Sequence, residues 1–205
     1  MYTGIVQAML PVSEVEKKPG LTHFAIDFPE ALLRGLETGA SVSVNGTCFT
    51  VTGTAKGRVS FDAIAETLRL TNLKHLETGM PVNVERSAAA GAEVGGHILS
   101  GHIMGTAKVV SVLNSENNCR VEFQADPAWM KYIFLKGFIA LNGCSLTLAE
   151  VDRDKARFSV NLIPETLART NFSLLKEGDE VNVEIDQQTQ AIVETVERVL
   201  AERQD

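Results

Sequence analysis

The sequence predicts a mainly β protein: two tandem, internally repeated small closed β-barrels with short helices, followed by a C-terminal amphipathic α-helix. Three observations carry that expectation. The chain repeats itself, each copy alternates strand-forming stretches with turn signals, and residues 186–205 switch to helical spacing. With 205 residues, 44% of them apolar, the chain is long enough for one large core or two small ones. Length alone does not choose between these, and the repeat does.

Asn45-Gly46-Thr47-Cys48-Phe49-Thr50-Val51 returns 97 residues later as Asn142-Gly143-Cys144-Ser145-Leu146-Thr147-Leu148. The block Glu66 to Asn72 returns 99 residues later as Glu165 to Asn171, and Gly79 to Glu85 returns at the same offset as Gly178 to Glu184. Thr3-Gly4-Ile5-Val6 aligns with Ser100-Gly101-His102-Ile103. The domain division that follows is 1–96 for a first barrel, 97–185 for a second, and 186–205 for a helix expected to serve oligomerisation. Residues 88–96, rich in alanine and glycine, form the junction.

Within the first copy, a short helix is expected from Pro29 to Leu36. Ala40 to Val44 then alternates as a strand, Asn45-Gly46 supplies the positive φ values of a tight hairpin, and Cys48 to Thr52 begins the return strand. Lys56-Gly57 turns the chain again into Arg58 to Asp62, and a second short helix covers Ala65 to Leu70. The second copy is expected to place helices at Pro127 to Phe134 and Pro164 to Ala168. Closure into a barrel removes the open strand edges that so small a unit has little means of hiding. In the tail, Ile192, Val193, Val196, Val199 and Leu200 recur at helical spacing, with Glu194, Glu197, Arg198 and Arg203 on other faces.

Charge and composition exclude several classes. Nineteen basic against 26 acidic residues leave a net charge of −7, which argues against nucleic acid or an anionic membrane surface as partner. No apolar run approaches the roughly 18 residues of a membrane span. Met1 to Val6 lacks the basic and apolar regions of a signal peptide. Three cysteines, Cys48, Cys119 and Cys144, form no Cys-x-x-Cys, so neither a disulfide framework nor a zinc site is expected. A soluble cytoplasmic protein is the expectation.

His97 and His102 have no cysteine or carboxylate cluster beside them, so no metal is expected. The repeat itself gives a sharper comparison. His102 aligns with Ile5, Cys48 with Ser145, Lys136 with Gly39, Ser41 with Phe138 and Asp62 with Asn161. The first half thus offers a thiol and a hydroxyl, and the second an imidazole and an ammonium. His102 suits acid–base work because imidazole titrates near neutral pH. Cys48 ranks next, against the alternative that it is a small apolar packing residue.

The opening Met1-Tyr2-Thr3-Gly4-Ile5-Val6, Asn45-Gly46-x-Cys48-x-Thr50-Val51, Gly95-Gly96-His97-x-x-Ser100-Gly101-His102, Gly143-x-Ser145-Leu146-Thr147 and Leu162-Ile163-Pro164-Glu165-Thr166-Leu167 together resemble the riboflavin synthase family of the alpha-chain type. The similarity extends through Asp186-Gln187-Gln188-Thr189-Gln190. It implies a dismutation without a cofactor, in which two 6,7-dimethyl-8-ribityllumazine molecules exchange a four-carbon unit to give riboflavin and 5-amino-6-ribitylamino-2,4(1H,3H)-pyrimidinedione. It also implies one lumazine per barrel, a homotrimer whose sites form between the first barrel of one subunit and the second barrel of its neighbour, and association with lumazine synthase as a further partner.

By the same resemblance, the substrate-binding residues are Gly4, Ile5, Val6, Cys48, Phe49, Thr50, Asp62, Ala63, Ile64, Ala65, Glu66, Thr67, Gly101, His102, Ile103, Lys136, Ser145, Leu146, Thr147, Asn161, Leu162, Ile163, Pro164, Glu165 and Thr166. Ser41, Cys48, His102 and Asp186 are the residues it implicates in chemistry; our own expectation is His102 as base, with Cys48 or Ser41 assisting nucleophile delivery in the opposite half. Cys144 departs from the family pattern, and its thiol beside the ligand strand is either inert packing or a point of oxidation. Two rival readings are a lumazine or flavin antenna protein that binds without catalysis, and a barrel module without a ligand. The first would be expected to have lost part of the set Ser41, Cys48 and His102, all of which are present.

Overall fold

The computed structural model describes residues 1–203. The last two residues of the expected tail, Gln204 and Asp205, lie outside the described residues. Two closed six-stranded antiparallel barrels follow one another. The first contains β1 (Ala8–Lys18), β2 (Leu21–Asp27), β3 (Ser41–Val44), β4 (Thr47–Ala55), β5 (Arg58–Ile64) and β6 (Pro81–Arg86), closing in the order β1-β2-β5-β4-β3-β6. The second contains β7 (Gly105–Asn114), β8 (Cys119–Gln124), β9 (Phe138–Leu141), β10 (Cys144–Asp152), β11 (Arg157–Leu162) and β12 (Glu180–Ile185), and its ring repeats that order as β7-β8-β11-β10-β9-β12. Four helices accompany them: α1 (Glu30–Leu33), α2 (Ala65–Leu70), α3 (Pro164–Arg169) and α4 (Gln187–Glu202).

Side-chain alternation decides what lies inside. Along β4, Thr47, Phe49 and Val51 are buried, whereas Cys48, Thr50 and Thr52 face outward. Phe24, Phe49 and Phe61 meet in the first core with Phe24 about equidistant from the other two, at 5.1 and 5.2 Å between ring centroids. Phe123 stacks on Phe158 at 5.3 Å in the second. Register breaks occur at matching places, after Val12 and Val51 in one barrel and after Val109 and Leu148 in the other. One extra residue on a long strand bends it, which lets a six-stranded sheet close.

The hairpins foreseen at Asn45-Gly46 and Asn142-Gly143 form, with φ of 46° and 83° in the first and 43° and 77° in the second. They also meet. A Cβ on Gly46 would stand 2.7 Å from the Gly143 nitrogen, and one on Gly143 would stand 2.7 Å from the Gly46 nitrogen. Around this point six buried asparagines bind the barrels in a two-fold pattern. The Asn72 N–H donates to Asn182 Oδ1 at 2.6 Å, and the Asn171 N–H donates to Asn83 Oδ1 at 2.8 Å. Asn83 Nδ2 donates to the Asn142 carbonyl at 3.0 Å, mirrored by Asn182 Nδ2 to the Asn45 carbonyl at 2.8 Å. Asn72 Nδ2 reaches Asn142 Oδ1 at 3.0 Å, and Asn171 Nδ2 reaches Asn45 Oδ1 at 3.1 Å.

The segments preceding each barrel cross to the other one. The Ser145 N–H in β10 donates to the Gly4 carbonyl at 2.9 Å, and the Cys48 N–H in β4 donates to the Gly101 carbonyl at 3.0 Å. Val6 accordingly packs in the second core. Tyr2, Leu99 and Ala140 make a small third cluster between the barrels.

Two helices expected from sequence differ. Pro127 to Phe134 forms only a 3₁₀ turn, Pro127–Trp129, capped by Asp126, because the following stretch turns to bury Met130, Tyr132 and Ile133 together. Pro29 to Leu36 shortens to α1, since Gly35 turns to a φ of 65° and ends the helix, and the Arg86 guanidinium satisfies the carbonyls of Leu32, Arg34 and Gly35. The tail helix forms as expected. Asp186 caps it by accepting from the Thr189 N–H at 2.9 Å, and Val193 packs on the second core.

Truncating Asn182 to alanine leaves the Asn72 N–H and the Asn45 carbonyl buried without these partners. The expected cost is about 2–4 kcal/mol of stability, read as a lowered urea midpoint, while an exposed change such as Thr54→Ala stays near zero.

Candidate functional site

The outward face of β4 carries the first cluster. Cys48 and Thr50 point away from the core, the start of α2 brings Glu66 and Thr67 beside them, and the crossing segment lays Gly101, His102 and Ile103 across the strand. Thr47, Cys48, Glu66, Thr67, Gly101, His102 and Ile103 line a cleft of about 260 Å³. The close approach depends on a glycine: a Cβ on Gly101 would stand 2.6 Å from Cys48 Cβ. The Tyr2 hydroxyl donates to Cys48 Sγ at 3.1 Å. Burial and the neighbouring Cys48 hold the phenol well above its usual range, with Ser41 close enough to oppose that shift. Ser41, Cys48 and Tyr2 therefore form one group.

His102 was expected to act opposite Cys48, from the other half. The structure corrects that placement, because the crossing segment brings His102 into the same cleft as Cys48. Sequence numbering puts His102 in the second copy, but hydrogen bonding puts it on the first barrel.

The second cluster repeats the arrangement on β10. Ser145 and Thr147 face outward, with Leu146 and Leu148 inside. Gly4 stands against Ser145 so closely that a Cβ would lie 2.5 Å from Ser145 Cβ. Ile5 is exposed beside this segment, and Ile163, Pro164, Glu165 and Thr166 lead into α3. Asp186 belongs to this side. Its carboxylate is engaged with the Thr189 N–H and hydroxyl, and the chain does not bring it to Cys48 or His102.

Several expected binding residues point inward. Phe49, Ala63, Leu146 and Leu162 lie in the barrel cores, and Val6 in the second core, so their side chains do not reach the outer faces. Asp62 and Asn161 are outward on β5 and β11, with Asp62 Oδ1 held by His23 Nδ1 at 2.7 Å. Ile64 and Ala65 are exposed at the entry to α2. Lys136 is exposed in the connection before β9 with φ of 65°, where its repeat partner is Gly39. Cys144 is inert packing: it is 7% exposed, and burial pushes its thiol up to about 12.

Two buried carboxylates hold the crossing segments, and the sequence reading missed both. Glu85 accepts from the Thr3 and Gly4 N–H groups at 2.7 and 3.1 Å. Glu184 accepts from the Ser100 and Gly101 N–H groups at 2.7 and 3.1 Å. Burial pushes both carboxyls above the usual carboxylate range, opposed by these donors. The signal was available, since both copies of the Gly-x-x-Val-Asn-Val-Glu block end in these residues.

Outward strand faces bridged by backbone from the companion barrel define a class, the tandem paired-barrel proteins. A family model described as the lumazine binding domain matches twice, at residues 3–87 and 100–186. The riboflavin synthase of Escherichia coli (strain K12) is 52% identical over 206 residues, covering 100% of this chain and 96% of that protein. That of Buchnera aphidicola subsp. Schizaphis graminum is 42% identical (98% and 96%), and that of Bacillus subtilis (strain 168) is 34% identical (91% and 85%). Among solved structures, LumP complexed with riboflavin superposes with a TM-score of 0.83 at 29% identity, and LumP complexed with 6,7-dimethyl-8-(1'-D-ribityl) lumazine with 0.82 at 28%. Each comparison covers 91% of this chain and all of the other. The chain belongs to the riboflavin synthase family, whose members are transferases.

Mild iodoacetamide treatment of the folded protein is expected to alkylate exposed Cys48 and to spare buried Cys119 and Cys144, read by peptide mass spectrometry. Glu184→Ala should free the segment carrying Gly101 and His102 and weaken ligand binding at the first barrel about tenfold or more, with Glu184→Gln intermediate, as measured by fluorescence titration.

Proposed function

We propose that the chain converts two molecules of 6,7-dimethyl-8-ribityllumazine into riboflavin and 5-amino-6-ribitylamino-2,4(1H,3H)-pyrimidinedione, using no cofactor. The observation that carries this reading is the cleft lined by both His102 and Cys48 where the glycine crossing segment lies on β4, within a chain similar throughout to riboflavin synthases. The 7-methyl group of the substrate is acidic because its carbanion delocalises into the ring. The protein must therefore pair two flat ligands and move protons. Prior orientation of two reactants is worth about 7–11 kcal/mol in favourable cases.

His102 is the base in this scheme, with Cys48 and Ser41 beside it on the first barrel. Backbone groups near Gly4, Thr50, Gly101 and Thr147 read the pyrimidinedione edges. Outward polar side chains, Asp62, Glu66 and Thr67 on one barrel and Asn161, Glu165 and Thr166 on the other, hold the ribityl hydroxyls. Lys136 and Asp186 contribute from the second barrel. Because His102 and Asp186 lie on different barrels of one chain, a complete site is best made by the first barrel of one subunit facing the second barrel of another.

A homotrimer supplies that arrangement. Its assembly surface is α4, where Ile192, Val196, Val199 and Leu200 remain 39–64% exposed in the single chain. The reading extends to a cytoplasmic location, which suits an exposed free thiol at Cys48, and to association with lumazine synthase. The rival reading, binding without catalysis, draws on the likeness to LumP. It is disfavoured by the retained Ser41, Cys48 and His102 set.

Incubating the purified chain with 6,7-dimethyl-8-ribityllumazine alone should give riboflavin absorbance. Stoichiometric binding without product would favour the antenna reading. His102→Gln is expected to lower turnover by roughly 10²-fold or more, and full retained turnover removes His102 as base. Deleting residues 187–205 should reduce the assembly to monomers in sedimentation velocity, and an unchanged sedimentation coefficient counts against the helix as assembly surface.

A further inference from the structure

His97 has no role in the scheme above and no counterpart in the first copy, because an offset of 97 falls before Met1. His97 is 8% exposed and lies against the second-barrel cluster. Nδ1 stands 2.6 Å from Ser145 Oγ, the ring stacks on Phe138 at 5.1 Å with a 19° interplanar angle, and the His97 backbone N–H donates to the Thr3 carbonyl at 3.1 Å. Nε2 is buried without a hydrogen-bond partner among the described residues. The approach is built. A Cβ on Gly96 would stand 2.2 Å from the Thr3 carbonyl oxygen and 2.7 Å from Ser145 Cβ, so only glycine before His97 lets the ring reach the serine.

We propose that His97 is a positioning residue for the second ligand face: it fixes the Ser145 hydroxyl through Nδ1, so that this barrel presents an oriented hydroxyl where the first barrel presents the Tyr2-bonded thiol of Cys48. This deepens the proposed function and rests on it. A free serine hydroxyl rotates among three staggered wells. The imidazole removes that freedom, because its neutral form offers one acceptor and one donor nitrogen, and the 2.6 Å contact engages Nδ1. Burial lowers the basicity of the ring, while the Asp186 carboxylate opposes the shift, so the neutral form prevails at neutral pH. Stacking on Phe138, which stands where the first barrel has Ser41, holds the ring plane. The duplicated barrels thereby differ chemically at the matched pair Cys48 and Ser145: phenol to thiol in one, imidazole to hydroxyl in the other.

A double-mutant cycle in the full chain tests this, with 6,7-dimethyl-8-ribityllumazine titrated by fluorescence and the two barrels resolved as two binding steps. His97→Leu should weaken the second-barrel step roughly tenfold and leave the first-barrel step unchanged. His97→Asn, which returns a polar atom near the Nδ1 position, should recover most of the loss. In a Ser145→Ala background, His97→Leu should add nothing. An undiminished tenfold loss in that background, an equal loss at both barrels, or an asparagine variant no better than leucine would overturn the proposal. A ligand-free readout separates this from the functional reading. In the imidazole ¹⁵N spectrum, Ser145→Ala should shift the His97 Nδ1 resonance, and an unmoved resonance refutes the contact whether or not lumazine binds.

Discussion

Everything about the ligand faces depends on the buried asparagine seam between the barrels. Asn45, Asn72, Asn83, Asn142, Asn171 and Asn182 satisfy one another and their backbones across a pseudo-two-fold axis, with Gly46 and Gly143 in van der Waals contact at its centre. An apolar seam would tolerate sliding. A seam of amides does not, because a shift of an ångström or two strands several donors and acceptors from their partners at once. The cost of each stranded group is about 1–3 kcal/mol, a large share of a domain's stability. The barrels are therefore held in one relative orientation, and the crossing segments inherit it.

That orientation turns a duplicated fold into a pair of composite sites. Glu85 and Glu184, each at the end of the strand that closes its barrel, hold the segments Thr3–Gly4 and Ser100–Gly101 by their N–H groups, while the carbonyls of Gly4 and Gly101 serve the opposite barrel. Neither ligand face is made by one repeat alone. Divergence at matched positions then has a different effect from divergence in a linear array. His102, from the second copy, lines a cleft on the first barrel together with Cys48, from the first copy.

How legible this was varies with the range of the interaction. The barrels and their hairpins were readable, because strand period and Asn-Gly turns are local properties. α2, α3 and α4 were readable for the same reason. The segment after Pro127 was not, because Met130, Tyr132 and Ile133 are buried by packing rather than by helical spacing. Cys144 could not be classed from its neighbours in the chain, since burial by distant elements is what makes its thiol inert. Glu85 and Glu184 were visible as repeated letters but not as clamps, because their partners lie more than 80 residues away.

By itself the sequence determined the duplication and the family, since both follow from spacing and pattern along the chain. Only the tertiary structure decided which residues share a face. Gly4 and Gly101 carry positive φ and lack a Cβ, so backbone from one repeat lies directly on a strand of the other, and that contact is set by the asparagine seam rather than by any local preference. His102 consequently sits with Cys48, and His97 with Ser145.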